Sequence, residues 1–188
     1  MPQRGEFPIR FLVAPWASRV SGPPLRSRLL TGALAGVVGT AAMTAVMNRL
    51  HRRLPAGERY PLPPREITQT LLPTPDEEAA KDQSIAAHFA FGSAAAALLA
   101  ASTPRPGMGR GVSAGLLVWL GSYFGWVPAG GILKPVHRHP VRRTALMIAA
   151  HVVWGAVTAL TARELDDSRR SVFKRGKLRD RPAASTDD

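Results

Sequence analysis

The sequence predicts an all-α membrane protein, four transmembrane helices formed by two parallel helical-hairpin repeats. Three observations predict it. Apolar residues gather in four blocks, about residues 29–50, 83–103, 111–133 and 144–162. Each is near the ~20 residues needed to cross a hydrocarbon core at ~1.5 Å per residue. One phrase occurs twice, as Ile85-Ala86-Ala87-His88-Phe89-Ala90-Phe91-Gly92 and as Ile148-Ala149-Ala150-His151-Val152-Val153-Trp154-Gly155. Small residues four apart open the first and third blocks, Gly32 with Gly36 and Gly111 with Gly115, a spacing that lets helix backbones approach closely. The mean hydropathy of −0.03 hides the blocks because it averages them with very polar flanks.

Residues 1–28 are rich in proline and arginine and are expected to be irregular. Phe11-Leu12-Val13-Ala14, hemmed by Pro8 and Pro15, is too short for a signal-peptide core, so the first span is expected to do its own targeting. Along that span the small-residue stripe continues through Thr40 and Thr44. In the first loop, Tyr60-Pro61-Leu62-Pro63-Pro64-Arg65 reads as extended, because proline fixes φ and lacks an amide donor. Residues 65–72 then suit a short amphipathic turn that gathers Ile67, Leu71 and Leu72. Thr74-Pro75-Asp76-Glu77-Glu78 reads as a helix start, with Thr74 as the capping hydroxyl and acids in the first turn.

The second span carries the first His phrase and ends at a tight Pro104-Arg105-Pro106-Gly107 turn. In the third span Gly121 and Gly125 form another small pair, and Trp119, Tyr123 and Trp126 recur at helical spacing as an expected interfacial aromatic belt. The third loop holds His137 and His139 around Arg138, close to Lys134; these are expected to face headgroups as cations rather than bind metal. The fourth span carries the second phrase. The transmembrane domain is thus 29–165, and 166–188 is expected to be a disordered basic tail or a segment resting on anionic lipid.

Pairing a small-residue span with a His span gives a helical pair that occurs twice. Each pair crosses twice, so both copies enter from one side and the repeat is parallel. His88 and His151 then lie toward the same membrane face, on the order of 7–10 Å inside their helix starts.

The formal net charge of +12 comes from 25 Lys and Arg against 13 Asp and Glu. The cations flank the apolar blocks, where membrane proteins place them against anionic headgroups, and no nucleic-acid-reading motif accompanies them. The lipid bilayer is therefore the expected partner, with a homo-oligomer formed through small-residue faces, and nucleic acid is not. Fifteen Lys and Arg belong to the N-terminal segment, second loop and tail, and ten to the other two loops. That bias favours both termini on the cytoplasmic side and all five histidines in the external half. Cysteine is missing, which removes disulfides and thiol chemistry. No nucleophile elbow, phosphate loop, His-Glu-x-x-His or dinucleotide fingerprint occurs, and the carboxylates lie outside the spans.

The residues left to carry chemistry are His88 and His151. An ionisable side chain within a span is costly and marks a functional-site hypothesis. The face of His88 continues through Gly92, Ala95, Ala96 and Leu99, and that of His151 through Gly155, Thr158, Ala159 and Ala162. Both faces suit another helix better than lipid. Three roles follow: a hydrogen bond to a carbonyl, Thr40, Ser122 or the other imidazole; proton or ion passage; or a haem or metal bridged by both rings. The six glycines Gly32, Gly36, Gly92, Gly111, Gly115 and Gly155 are assigned to helix packing. The expected function is non-enzymatic, either structural and accessory or handling a small solute or protons, with no cofactor. The alternative is a haem- or metal-binding redox module at His88 and His151, and a lipid-modifying enzyme stands third.

The order of features carries a resemblance. A small-residue span, Pro61-Leu62-Pro63-Pro64-Arg65, a His-bearing span, a glycine-rich span and Ala150-His151-Val152-Val153-Trp154 running into Arg163-Glu164-Leu165 resemble the YagU-like family of bacterial inner-membrane proteins. The resemblance covers about residues 29–165 and implies a four-helix inner-membrane protein, without implying a substrate, catalytic residue or cofactor. The chain differs from longer members in its shorter first loop and more basic tail.

Overall fold

The computed structural model describes residues 23–134 and 138–176. Its elements are α1 (Leu25–His51), α2 (Pro63–Leu71), α3 (Glu77–Ser102), α4 (Met108–Ala129) and α5 (Val141–Arg170). No strand occurs among the described residues. All but α2 are long and apolar enough to cross a membrane. Their side-chain distribution suits lipid. Along α1 the buried positions include Gly32, Ala35, Gly36, Gly39 and Thr40, while Leu30, Leu34, Val37 and Val38 face outward. In lipid, large aliphatics gain little by hiding, and tight packing of small residues holds helices together.

Helix α1 packs against both α3 and α5, and α4 packs against α5. The seams are backbone-close. A Cβ built on Gly36 would sit 2.7 Å from the Cβ of Ala96 and 2.8 Å from the carbonyl oxygen of Gly92. One built on Gly111 would collide with the carbonyl of Gly155 and sit 2.6 Å from the Cβ of Ala159. Gly32 meets Ala96 and Ala100, and Gly115 meets the carbonyl of His151. Gly36 and Gly111 thus occupy matching places opposite the glycine that follows each histidine. The sequence alignment of Gly32 with Gly111 is displaced by one helical turn, because small residues every four positions fit either register.

Contacts at the helix ends fix the directions. Arg28 at the start of α1 donates to the carbonyls of Ala100 (3.0 Å) and Ala101 at the end of α3. Arg105, with a left-handed backbone (φ 57°), reaches from the turn before α4 to Asp166 and to Asp167 (2.6 Å) on the last turns of α5. Helices α3 and α5 therefore run the same way, opposite to α1 and α4.

Several boundaries differ from those expected. Helix α1 starts at Leu25, inside the segment expected to be irregular. Pro63 and Pro64 open α2 instead of extending the loop, since proline's fixed φ suits the first helical positions and its missing N–H has no partner there anyway. Asp76, not Thr74, caps α3: its carboxylate accepts from the amide of Ala79 at 2.6 Å, a cap worth about 1 kcal/mol. Helix α5 extends to Arg170, so residues 166–170 of the expected tail are helical, tied by Asp166 to Arg105 and to Arg170 at 3.2 Å. The rest of the expected tail from residue 177, and His137, lie outside the described residues.

Helix α4 is broken in a way its composition did not announce. Gly121–Trp126 is wound as a π-helix, and Gly125 (φ −105°, ψ −115°) leaves helical geometry altogether. Such single-turn π segments recur at functional sites.

Candidate functional site: an intramembrane cavity

Helices α3 and α4 are not closely packed on each other. A cavity of about 260 Å³ occupies the space between them. Its floor and walls come from Thr40 and Met43 of α1, His88, Phe91 and Ala95 of α3, and Met147, His151 and Trp154 of α5. The π segment supplies Ser122, Tyr123 and Trp126, so the break in α4 turns side chains into the cavity. Over it lies α2, contributing Pro63, Ile67 and Leu71. The lining is overwhelmingly apolar.

His88 and His151 both wall this cavity. They sit 11 and 10 residues into α3 and α5, about 16 and 15 Å along their axes, so the depths match but exceed the expected 7–10 Å because both helices start earlier. His151 is 9% exposed, and its Nδ1 lies 2.7 Å from the carbonyl oxygen of Met147 one turn back. A carbonyl only accepts, so Nδ1 carries the proton and donates. In a neutral ring so bonded, Nε2 is the acceptor, and the residue lines the cavity. His88 is half-buried, with an enclosed Nε2 that has no partner among the described residues. Of the partners weighed from sequence, a carbonyl serves His151; the hydroxyl of Thr40 bonds neither ring and is itself enclosed and unpartnered, as is Nε1 of Trp154. Buried polar atoms without partners cost ~1–3 kcal/mol each and call for an explanation. Here three of them, on Thr40, His88 and Trp154, belong to residues of one cavity wall.

Glycines hold the seams beside the cavity, and Gly92 itself lines it. The hydroxyl of Thr40 lies against Gly92, where a Cβ would overlap it, and the hydroxyl of Thr158 lies in the same way against Gly39. Beyond Gly92, toward the ends of α3 and α5, Gly32, Gly36, Gly111 and Gly155 close the seams.

A hydrogen-bonded collar holds the loop beneath α2, and the sequence reading missed it. Arg143, read as a headgroup-facing cation, is 5% exposed. Its guanidinium donates to the carbonyls of Glu58 (2.9 Å), Tyr60 (2.8 Å) and Pro61 (2.8 Å) and stacks 3.4 Å over the Tyr60 ring. His51 Nε2 donates to the carbonyl of Tyr60 at 3.2 Å. His139 likewise has protein partners: its Nε2 donates to the carbonyl of Lys134 at 2.9 Å, and its Nδ1 lies 3.3 Å from the hydroxyl of Tyr60. Arg65 pins α2 to the start of α3 through Glu77 at 2.6 Å. The one sequence signal for the collar was Arg143 at the mouth of an apolar block, where an unpaired guanidinium meets free loop carbonyls.

The expected aromatic belt is also corrected. Trp119 and Tyr123 are 8% and 9% exposed, stacked at 5.6 Å between centroids inside the bundle, and only Trp126 reaches the surface. An i, i+4 aromatic pair with period 3.6 is the same pattern whether the face meets lipid or core.

Among the described residues no group of three or more His, Asp or Glu side chains is placed to hold a metal ion. Comparison of the chain with protein-family models, curated proteins and solved structures finds no match.

Proposed function

We propose that the chain is a non-enzymatic membrane protein that holds a small, mostly apolar solute in the cavity between α3 and α4, with His88 and His151 as its polar anchors. The observation that carries this reading is the convergence of both histidines on one apolar cavity of about 260 Å³. An apolar cavity of ~150 Å³ accommodates benzene, so this one takes a substituted ring or a short branched chain. Of the expected roles, small-solute handling fits better than a purely structural one, since a packing protein has no reason to leave helices apart.

The test is saturable binding of para-bromotoluene, a heavy-atom quencher, to the protein in nanodiscs. Quenching of the cavity tryptophans should saturate with quencher concentration in the membrane, and Ala95→Phe, which fills the wall, should leave only the linear quenching of bilayer partitioning. Linear quenching in the wild type would overturn the proposal.

A second reading, a haem- or metal-binding module at His88 and His151, is favoured by the same convergence and by the open lone pair of His151. It requires a Soret band or bound metal in gently purified protein that is lost in His151→Leu.

The finer placement belongs to the same proposal. The Lys and Arg bias supports cytoplasmic termini, and the resemblance to the YagU-like family supports a bacterial inner membrane. The twice-occurring phrase and the matching seams at Gly36 and Gly111 support an internal duplication. Pro61–Arg65 and the two His phrases support kinship with the YagU-like family. The six glycines are taken up within one chain, so copies in a homo-oligomer would meet through the outward Leu and Val faces. Arg49, Arg52 (bonded to Asn48 one turn back), Arg53 and the cations at the other end support contact with anionic headgroups, whereas Arg28, Arg105 and Arg143 bond other elements of the protein.

A further inference from the structure

Resting on the reading of the cavity as a solute site, we infer that its ligand class is a membrane-dissolved phenol: an aromatic ring bearing a hydroxyl that donates to Nε2 of His151. Three features converge on this class. The first is hydrogen-bond polarity. The Nδ1–H of His151 is spent on Met147, which leaves Nε2 of this cavity-lining residue as the acceptor of a neutral ring, so a ligand that bonds it must bring the donor. At Nε2 of His151 a ketone, ether or ester would place its oxygen against a lone pair, the donors of Thr40 and Trp154 are enclosed beside Gly92, and an ammonium ion would have to be desolvated among apolar side chains.

The second feature is the wall. Phe91, Tyr123, Trp126 and Trp154 present four aromatic side chains to one space of about 260 Å³. Aromatic rings in such a setting favour offset or edge contacts with another ring. The volume suits one substituted ring rather than a long chain.

The third is the route. Phe91 and Trp126 wall the cavity and are also 49% and 43% exposed on the outer surface, their rings 6.3 Å apart across the α3–α4 gap. No close helix packing backs them there. The opening therefore faces the bilayer, while α2 and its collar cover the end toward water. A ligand reaching the site this way is one already dissolved in lipid.

The experiment compares para-bromophenol, para-bromoanisole and para-bromotoluene as tryptophan quenchers of the wild-type protein in nanodiscs, each at known membrane concentration. All three should saturate. The phenol should do so at a concentration at least about tenfold lower than the anisole, which lacks the donor and should resemble the toluene. His151→Leu should bring the phenol to the level of the other two. Equal affinity of phenol and anisole for the wild type overturns the inference while leaving the cavity as a solute site, and so does a phenol preference that persists in folded His151→Leu. Linear quenching by all three overturns the solute site itself. Should His151→Leu not fold, the wild-type series decides alone.

Discussion

The two halves of the bundle are built on opposite principles. In the half that includes the α3–α4 turn and the end of α5, the helices meet through Gly32, Gly36, Gly111 and Gly155, so closely that no side chain fits between. In the other half the same helices carry Phe91, Trp119, Tyr123, Trp126 and Trp154, one helix is broken at Gly121–Trp126, and a cavity remains. Without a hydrophobic drive between helices in lipid, association must come from packing. The glycine half can supply that packing, which frees the other half to stay hollow.

The most damaging way to break this division is to disturb the glycine half. Gly155→Leu places side-chain atoms in the backbone of Gly111, where neither partner can yield. It should destabilise the bundle by about 3 kcal/mol or more, measured by denaturant unfolding in mixed micelles. An Ala95→Leu change in the hollow half adds similar bulk beside empty space and should cost less than about 1 kcal/mol. Equal losses would erase the contrast.

Next comes the collar. Arg143→Ala strands the carbonyls of Glu58, Tyr60 and Pro61, and should cost about 2–3 kcal/mol. Amide exchange should rise across residues 54–71 and stay unchanged around Gly36. Arg143→Lys should rescue little of this, because an ammonium group cannot serve three carbonyls and a ring face together.

The legibility of the sequence follows the same division. Spans, their directions and the glycine seams depend on length and on small residues four apart, which are local patterns. The collar depends on Arg143 meeting a loop more than 80 residues away, and no local pattern contains that pairing. The π segment was hidden because Gly121, Gly125 and Pro128 read equally well as small packing residues and a helix end. The convergence of His88 and His151 was suggested by the twice-occurring phrase, but the cavity between them arises from α3 and α4 failing to pack, which no residue announces.

A smaller effect sharpens the role of α2. The Arg65–Glu77 pair is exposed on the Glu77 side, so Arg65→Ala should change global stability by less than about 1 kcal/mol. It should still loosen α2 over the cavity, seen as faster amide exchange in residues 63–71 alone. Smallest of all, Gly57→Ala in the loop, where an added Cβ touches nothing, should leave stability within about 0.5 kcal/mol.

The division into a sealed half and a hollow half is tested most directly by xenon, which enters apolar cavities and leaves close-packed seams untouched. Nuclear magnetic resonance of the protein in nanodiscs under increasing xenon pressure should show saturable shifts at the Trp126 and Trp154 indoles and none at the amides of Gly36 and Gly111. Ala95→Phe should abolish the saturation. Shifts spread evenly over both halves, or indole shifts that never saturate, would contradict the account.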